Sequence, residues 1–350
     1  MPTDTVLSGL LSRQLDAWLP AALQRSRRAT LALACGAGDA GTLTGALSVI
    51  SRYADRLRGA RLTVLVLADA DTDADSGTGS GTGSGTGTGS GTGNDAGAGT
   101  GSGTGTGTDL AARLGAVEAS LPAEVAVHLV PGDATRLPVA LKAAGAAGAP
   151  VFTLVVPPGP AGTPASAVVA AAATGRPAEL LLVADASVRV GLAQRFPLVT
   201  EVELTSAEAG LSSAAAGVSR VVAFATSSDR ALEAFKTALW AVGAEQPLRL
   251  RTLPAPADPR DPVPLTVSTE PEVGPLGREL LAELGRSGPR TVTELRRHAL
   301  TATVYRAADA VRALTELLAT GAVRRDPEAG RLGGDVVIHA VGDAAAGSTA

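Results

Sequence analysis

The chain has very little cysteine, histidine and aromatic residue content. Its 350 residues include one cysteine, three histidines and 2% aromatic residues. A single cysteine, Cys35, excludes an intramolecular disulfide. His128, His298 and His339 lie far apart and lack the cysteine or acid spacing of a zinc site. We therefore predict no metal site.

The sequence also lacks a long apolar run and a strong net charge. No stretch approaches the roughly 18 apolar residues of a membrane span, and no basic segment followed by an apolar run begins the chain. We expect a cytoplasmic protein without membrane contact. The formal charge of −4 creates no general attraction to nucleic acid or anionic lipid, so any such binding must be local.

Ala, Val and Leu dominate a hydrophobic content of 45%, and 350 residues exceed what one core usually organises. Continuous apolar runs alternate with helical patterns, which predicts an α/β domain with a mostly parallel sheet. The runs cover 30–35, 61–68, 125–130, 151–156, 180–184 and 220–225. An N-terminal helix precedes them and is expected to end or kink at Pro20.

Composition divides the chain into five parts. These are an N-terminal helix (1–27), the α/β domain (28–246), a proline-rich linker (247–274), a C-terminal domain (275–342) and a disordered tail (343–350). Within the α/β domain, 72–108 is a Gly/Ser/Thr-rich insertion without the apolar residues needed to offset the entropy of ordering. We expect it to be disordered, and to be a loop rather than a boundary because the α/β pattern resumes at Asp109.

Residues that could bind a nucleotide follow the first three strands. Backbone N–H groups of a glycine loop can approach a polar ligand after the first strand, and Asp69 after the second could accept ribose hydroxyls. Each feature has a plain structural alternative: a tight turn, a solvated acid, or a helix N-cap at Asp133 or Thr135. The predicted cofactor-binding residues are Gly36, Gly38, Asp39, Gly41, Asp69, Asp133 and Ala134.

The stretch from Gly132 to Pro138, Gly-Asp-Ala-Thr-Arg-Leu-Pro, resembles the adenine-contacting segment of class I methyltransferases. The resemblance implies a Rossmann-like class I methyltransferase-type sheet, S-adenosylmethionine (SAM) as cofactor, and Asp133 facing the adenine amino group. Val156 and Gly159 replace the side chains that hold the nucleophile in amino-group methyltransferases, and Ala34 replaces the acid before the first glycine. No catalytic residue is therefore predicted.

Together these segments resemble the three-Cys-motif partner family. Gly36 and Gly38 match its loop glycines, Pro157 and Gly159 match its Asp-Pro-Phe-Gly motif, and Phe235 to Trp240 matches its late helix. Ala32 and Val156 stand where the family has aspartates. The resemblance implies a methyltransferase-like protein that binds SAM or a nucleotide, with or without catalysis, and acts with a three-Cys-motif partner protein.

The C-terminal domain has the order of a winged helix: three helical patterns, then two strands flanking a turn at Asp326 to Gly330. Arg306 and Arg312 are the only bases of its third helix, so weak or no nucleic-acid binding is expected. The wing residues Arg324, Arg325 and Arg331 could touch phosphate. A DNA-binding regulator, with the α/β domain as sensor or dimerisation unit, is the alternative function, and a packing or dimerisation role for the winged helix also stays open.

Overall fold

The computed structural model describes most of the chain outside the glycine-rich insertion. The described residues are 2–35, 40–68, 112, 114–157, 164–206, 219–246, 248–253, 265–266 and 271–341. The expectations of disorder at 72–108 and 343–350 fall outside these residues. Within the described part of the chain, no helix combines the length and apolarity needed to cross a bilayer.

A large, mostly parallel sheet forms the centre of the described structure and confirms the α/β class. Its strand order is β3-β2-β1-β4-β5-β7-β6-β8-β9. The strands are β1 (Arg28–Ala34), β2 (Arg61–Ala68), β3 (Val125–Pro131), β4 (Val151–Val155), β5 (Ala178–Ala184), β6 (Leu198–Ser206), β7 (Arg220–Thr226), β8 (Leu248–Thr252) and β9 (Leu265–Thr266). The first five strands pair in parallel, whereas β7 runs antiparallel to both β5 and β6.

Helices cover both faces of this sheet, as continuous apolar strands require. The α-helices whose full bounds are described are, in chain order, α1 (Pro2–Arg25), α2 (Ala40–Arg52), α3 (Ala54–Leu57), α4 (Leu137–Ala143), α5 (Ser166–Ala172), α6 (Arg189–Ala193), α7 (Asp229–Glu245), α8 (Gly274–Ser287), α9 (Val292–Ala302) and α10 (Ala307–Ala319). Leu31 and Leu33 of β1 share one core with α1, α2 and α7, whereas Ala32 and Ala34 share the opposite core with α4, α5 and α6.

The sequence predicted that the first helix ends or kinks at Pro20. The predicted end is wrong, because Pro20 lies inside α1. The helix continues past it to Arg25. Proline cannot donate the backbone hydrogen bond that would normally reach the carbonyl of Asp16. The Tyr53 hydroxyl donates to that carbonyl instead, at 3.2 Å. A side chain from a neighbouring segment thus satisfies the group that proline leaves open.

The sheet extends beyond the strands predicted from the sequence. β6 was not anticipated, and it pairs antiparallel with β7 on one side and with β8 on the other. β8 lies within the segment 247–274 that composition marked as a linker, so this segment begins with a sheet strand. The N-terminal half of β6 lacks β8 as a neighbour, and α9 packs against this strand.

The C-terminal unit consists of α8, α9 and α10 with a small antiparallel sheet. Its strands are β10 (Arg290–Thr291), β11 (Val323–Asp326) and β12 (Val337–Ala340), in the order β10-β12-β11. Thr291 and Glu294 form a capping box that begins α9. The third helix begins at Ala307 rather than at Val304, and residues 303–306 form the turn between α9 and α10.

Candidate functional site

The strand order reverses between β1 and β4, and in open α/β sheets ligands bind outside the carboxyl ends of the strands at such a point. The two strands stay paired to their ends, because the amide of Val156 donates to the carbonyl of Ala34 at 2.8 Å. The amide of Cys35 likewise donates to the carbonyl of Leu67 in β2, at 3.2 Å. The carboxyl edge therefore begins directly after Cys35, where the predicted glycine loop starts.

Four of the predicted cofactor-binding residues, Gly36, Gly38, Asp39 and Asp69, lie outside the described residues. Gly41 is exposed in the first turn of α2. A Cβ atom built on Gly41 would meet nothing within 4 Å among the described residues. Space around this glycine is open, so packing within the described protein does not require a glycine here.

Gly132 and Asp133 follow β3 at the same edge. Gly132 has a φ of 113°, and a Cβ there would lie 3.0 Å from Cγ of Arg136. The positive φ strongly favours glycine here, and a Cβ would also push the Arg136 side chain away by a few tenths of an ångström. The positive φ thus explains why the segment from Gly132 to Pro138 begins with glycine.

The Asp133 carboxylate is exposed and caps the short 3₁₀ helix Ala134–Arg136. Ala134, another predicted cofactor-binding residue, is the first residue of this helix. Oδ1 of Asp133 accepts hydrogen bonds from the Thr135 backbone amide at 2.9 Å and from the Thr135 hydroxyl at 2.5 Å. These bonds hold the pKa of Asp133 below its ordinary value. The N-cap alternative thus has direct geometric support, and the carboxylate is ionised at neutral pH.

Further along the edge lie charged groups that the sequence analysis missed. Asp185, directly after β5, pairs with Arg220 at the start of β7, with 3.2 Å between Oδ1 and Nη1. On β6, Glu203 accepts hydrogen bonds from Ser219 and Arg251. Burial alone would raise the pKa of Glu203, but these two donors together hold it below its ordinary value.

The alternating pattern Val202-Glu203-Leu204 was the available signal for β6. Strands with one buried face and one polar face alternate in this way. Here the apolar residues Val202 and Leu204 enter the core shared with α1 and α7, and Glu203 lies on the other face.

At the opposite, amino-terminal edge, Glu179 of β5 is only 5% exposed. Its Oε2 accepts a hydrogen bond from Nε2 of Gln14 in α1, at 3.1 Å. Burial raises the pKa of Glu179 to about 7, and the Gln14 hydrogen bond opposes this only in part. The residue lies far from the carboxyl edge, and the sequence offers no signal for its burial.

The three predicted wing arginines differ in their surroundings. The Arg325 guanidinium donates to the backbone carbonyls of Pro327, Ala329, Gly330 and Arg331, at 2.9 to 3.2 Å. Arg325 therefore holds the turn together, and four of its five N–H donors are already used within the protein. Arg324 and Arg331 are exposed.

The start of α10 carries the two arginines expected to be the only bases of the third helix. Arg306 binds the Asp309 carboxylate through Nε and Nη2, at 2.9 Å each. Nη1 of Arg312 lies 3.6 Å from Oδ1 of the same carboxylate. Asp309 is 1% exposed. Both arginines thus share one acid at the start of the helix, which leaves a net charge of about +1 here and weakens this surface as a nucleic-acid reader.

Comparison with known proteins returned no family model that matches the chain and no curated protein that matches it. Among the described residues, no group of three or more His, Cys, Asp and Glu side chains is arranged to hold a metal ion. Function must then be inferred from the strand order and from the side chains at the carboxyl edge.

Proposed function

We propose that the chain is a methyltransferase-like protein that binds SAM or a related nucleotide at the carboxyl edge between β1 and β4. One observation carries this proposal: the strand order β3-β2-β1-β4-β5, followed by β7 antiparallel between β5 and β6. The first five strands follow the order of the nucleotide-binding doubly wound fold. An antiparallel strand inserted between the fifth and sixth distinguishes the class I methyltransferase sheet, which the sequence resembles.

Asp133 is the described side chain best suited to recognise adenine in this proposal. Both Thr135 donors bind Oδ1, so within the described part of the chain Oδ2 is left to accept a hydrogen bond from the adenine amino group. The depressed pKa keeps the acceptor ionised. The proposed binding site also includes two other described residues, Gly41 and Ala134. Its remaining members lie outside the described residues: Gly36, Gly38, Asp39 and Asp69.

Binding, rather than a defined methyl transfer, is the proposed activity. β4 ends at Val155 and is followed by Val156 and Pro157, and none of these three side chains has a polar group to hold or deprotonate a nucleophile. Methyl transfer depends mainly on positioning, so a partner that brings the acceptor would complete the site. A three-Cys-motif partner protein is the partner that the family resemblance implies, and it belongs to this proposal.

The test compares thermal unfolding with and without SAM. A ligand that binds only the folded protein raises its stability with the logarithm of ligand concentration over Kd. Asp133→Asn keeps an oxygen for the Thr135 donors but places an amide NH₂ where Oδ2 accepts, so we expect a smaller shift than in the wild-type protein. Asp55→Asn removes an acid on α3 whose side chain is 90% exposed, and it should leave the shift unchanged. Equal shifts in both variants would contradict the assignment of Asp133.

A second candidate function rests on the C-terminal unit, which we propose to be a winged helix. The order α8, β10, α9, α10, β11, β12 and the sheet order β10-β12-β11 support this proposal. The four-residue turn 303–306 between α9 and α10 fits a helix-turn-helix. Duplex nucleic acid would be contacted weakly through Arg324 and Arg331, since the Arg325 donors hold the wing turn.

A further inference from the structure

β3 is the outermost strand at one end of the large sheet, and within the described part of the chain it pairs with β2 alone. An outermost strand presents a row of unpaired backbone groups, and proteins usually protect it with charged residues, a bulge or an internal proline. β3 contains no Asp, Glu, Lys or Arg, and its proline is its last residue. Its register with β2 runs one residue to one, without a bulge. The side of β3 away from β2, here called the free side, is therefore open to pairing.

The hydrogen bonds to β2 determine which backbone groups point to the free side. The amide of Leu62 donates to the carbonyl of Glu124, directly before β3, at 3.0 Å. The amide of Gly132, directly after β3, donates to the carbonyl of Ala68 at 3.0 Å. Backbone groups of successive strand residues point to opposite sides, so the even-numbered residues between these two bonds face β2. The residues that face the free side are Val125, Val127, Leu129 and Pro131.

Two of these four residues offer both a donor and an acceptor on the free side. The amide of Val125 already donates to the carbonyl of Pro122, at 2.9 Å. Pro131 has no N–H group. Among the described residues, Val127 and Leu129 therefore form the part of β3 that can exchange a pair of backbone hydrogen bonds with another strand.

The free side of β3 is complementary to a second copy of itself. In an antiparallel pair, two directly opposed residues exchange both of their backbone hydrogen bonds at every second position. With Val127 of each copy opposite Leu129 of the other, both residues are satisfied in both copies, and the two His128 residues lie opposite each other at the centre. In the neighbouring registers Val125 or Pro131 would enter such a pair, and each lacks an available N–H. The backbone therefore selects the register centred on His128.

Side chains agree with the same register. Leu129 is a large apolar residue that is 41% exposed, and it lies on the same face of β3 as Val127. Opposed apolar side chains stabilise an antiparallel pair, and in this register each Leu129 would pack on Val127 of the other copy. His128, which is exposed, is the only ionisable side chain of the strand. Pairing two copies thus covers an exposed leucine without bringing carboxylate, lysine or arginine charges together.

We propose that β3 is a homodimer interface, in which the β3 strands of two copies pair antiparallel about His128 and join the two large sheets into one. The same surface serves both copies, as in other twofold dimers. The pairing strand is short, so the interface is small and the dimer forms in a concentration-dependent way. This inference depends on neither of the two candidate functions, because it uses only β3 and its pairing with β2.

Sedimentation velocity of the full chain measures dimer formation. The dimer fraction of the wild-type protein should rise between about 5 and about 500 μM, the range that suits a small interface. The measurement is made at about pH 8, where histidine is neutral, because like charges directly opposite each other destabilise a strand pair.

A charge on the free side should weaken the dimer. Leu129→Lys introduces one at an exposed position, and we expect dimerisation to weaken at least about tenfold. Val190→Lys is the matched control, because Val190 is 70% exposed on α6, which packs against β6 and β7. It should leave dimerisation unchanged. A wild-type protein that stays monomeric at every concentration, or equal weakening by both variants, would overturn the proposal.

Disulfide formation in the presence of oxidised glutathione tests the register itself. The Cα atoms of the opposed His128 residues would lie about 4.5 Å apart, within the reach of a disulfide. His128→Cys should therefore give a covalent dimer. The wild-type protein should give none, because its one cysteine, Cys35, is buried.

Two further cysteine variants, Ala126→Cys and Val130→Cys, control for random collision of exposed thiols. In the proposed register, position 126 of one copy lies opposite position 130 of the other, whereas each position is about 14 Å from its own counterpart along the strands. Each variant alone should therefore stay unlinked. An equal mixture should become linked in its mixed dimers, which are about half of all dimers. Linkage of either variant alone to the extent of the mixture, or no linkage in the mixture, would show that the proposed pairing is wrong.

Discussion

Replacing Glu179 by glutamine should make the protein more stable at neutral and alkaline pH. Glu179 is buried between β5 and α1 with one hydrogen bond, from Gln14, and its pKa is raised from an ordinary 4.5 to about 7. Between these two values the folded protein holds a proton that the unfolded chain has lost. Stability therefore falls as pH rises from about 4.5 to about 7 and is level above that range.

The size of the effect follows from the shift in pKa. Each pKa unit corresponds to about 1.4 kcal/mol, so ionised Glu179 costs the folded protein on the order of 3 kcal/mol above pH 7. The Gln14 Oε1 atom is buried and has no hydrogen-bond partner among the described residues. An amide at position 179 could donate to this atom, and the variant would gain a hydrogen bond that carboxylate cannot make.

Urea unfolding followed by tryptophan fluorescence, at several pH values from 4.5 to 8, measures the difference. The free energy of unfolding of Glu179→Gln should equal that of the wild-type protein near pH 4.5 and exceed it by about 1–3 kcal/mol at pH 8. Glu203→Gln is the contrasting variant, because the lowered pKa of Glu203 makes its carboxylate stabilising. A difference between Glu179→Gln and wild type that does not change with pH would refute the reasoning.

Three further substitutions, the first with a control variant, test local contacts that stabilise the fold. Arg325→Ala should lower the free energy of unfolding by about 1–2 kcal/mol in a thermal unfolding assay, because it removes the donors to four turn carbonyls. In the same assay, replacing the exposed side chain in Arg324→Ala should change the free energy of unfolding by less than about 0.5 kcal/mol. Gly132→Ala should cost about 1–3 kcal/mol, because φ is positive and Arg136 is close, and an unchanged urea midpoint would contradict this. Tyr53→Phe should cost about 1 kcal/mol by leaving the carbonyl opposite Pro20 without its donor; full wild-type stability would mean that water replaces the hydroxyl.

The parallel part of the sheet could be predicted from the sequence because its signal is local. β2, Arg61–Ala68, is a continuous apolar run, and it was predicted with the bounds that the structure has. Glu201 and Glu203 interrupt the continuous apolar run that marks the other strands, so only the short alternation Val202-Glu203-Leu204 indicated β6. Glu201 is buried because the Val188 amide and the Ser187 hydroxyl bind it, and these donors come from another segment of the chain. Burial of this kind depends on tertiary partners that no local pattern contains.

The same distinction applies to the candidate site. Glycine at 132 could be anticipated from the segment it begins, and its positive φ explains the choice of residue. The role of Arg325 could not be predicted from the sequence, because a basic residue on a wing looks the same in the sequence whether it contacts phosphate or its own turn. Lys236 also has no sequence signal for its burial: it is 0% exposed, and burial together with nearby Arg189 lowers its pKa well below the ordinary value.

Titration calorimetry of the wild-type protein with SAM and with its demethylated product tests the central claim most directly. The claim is that the carboxyl edge between β1 and β4 binds an adenosyl ligand. It predicts saturable binding of one molecule per chain, weakened by Asp133→Asn and unaffected by Asp55→Asn. Absence of heat and of any thermal shift at millimolar concentrations of both compounds would contradict it.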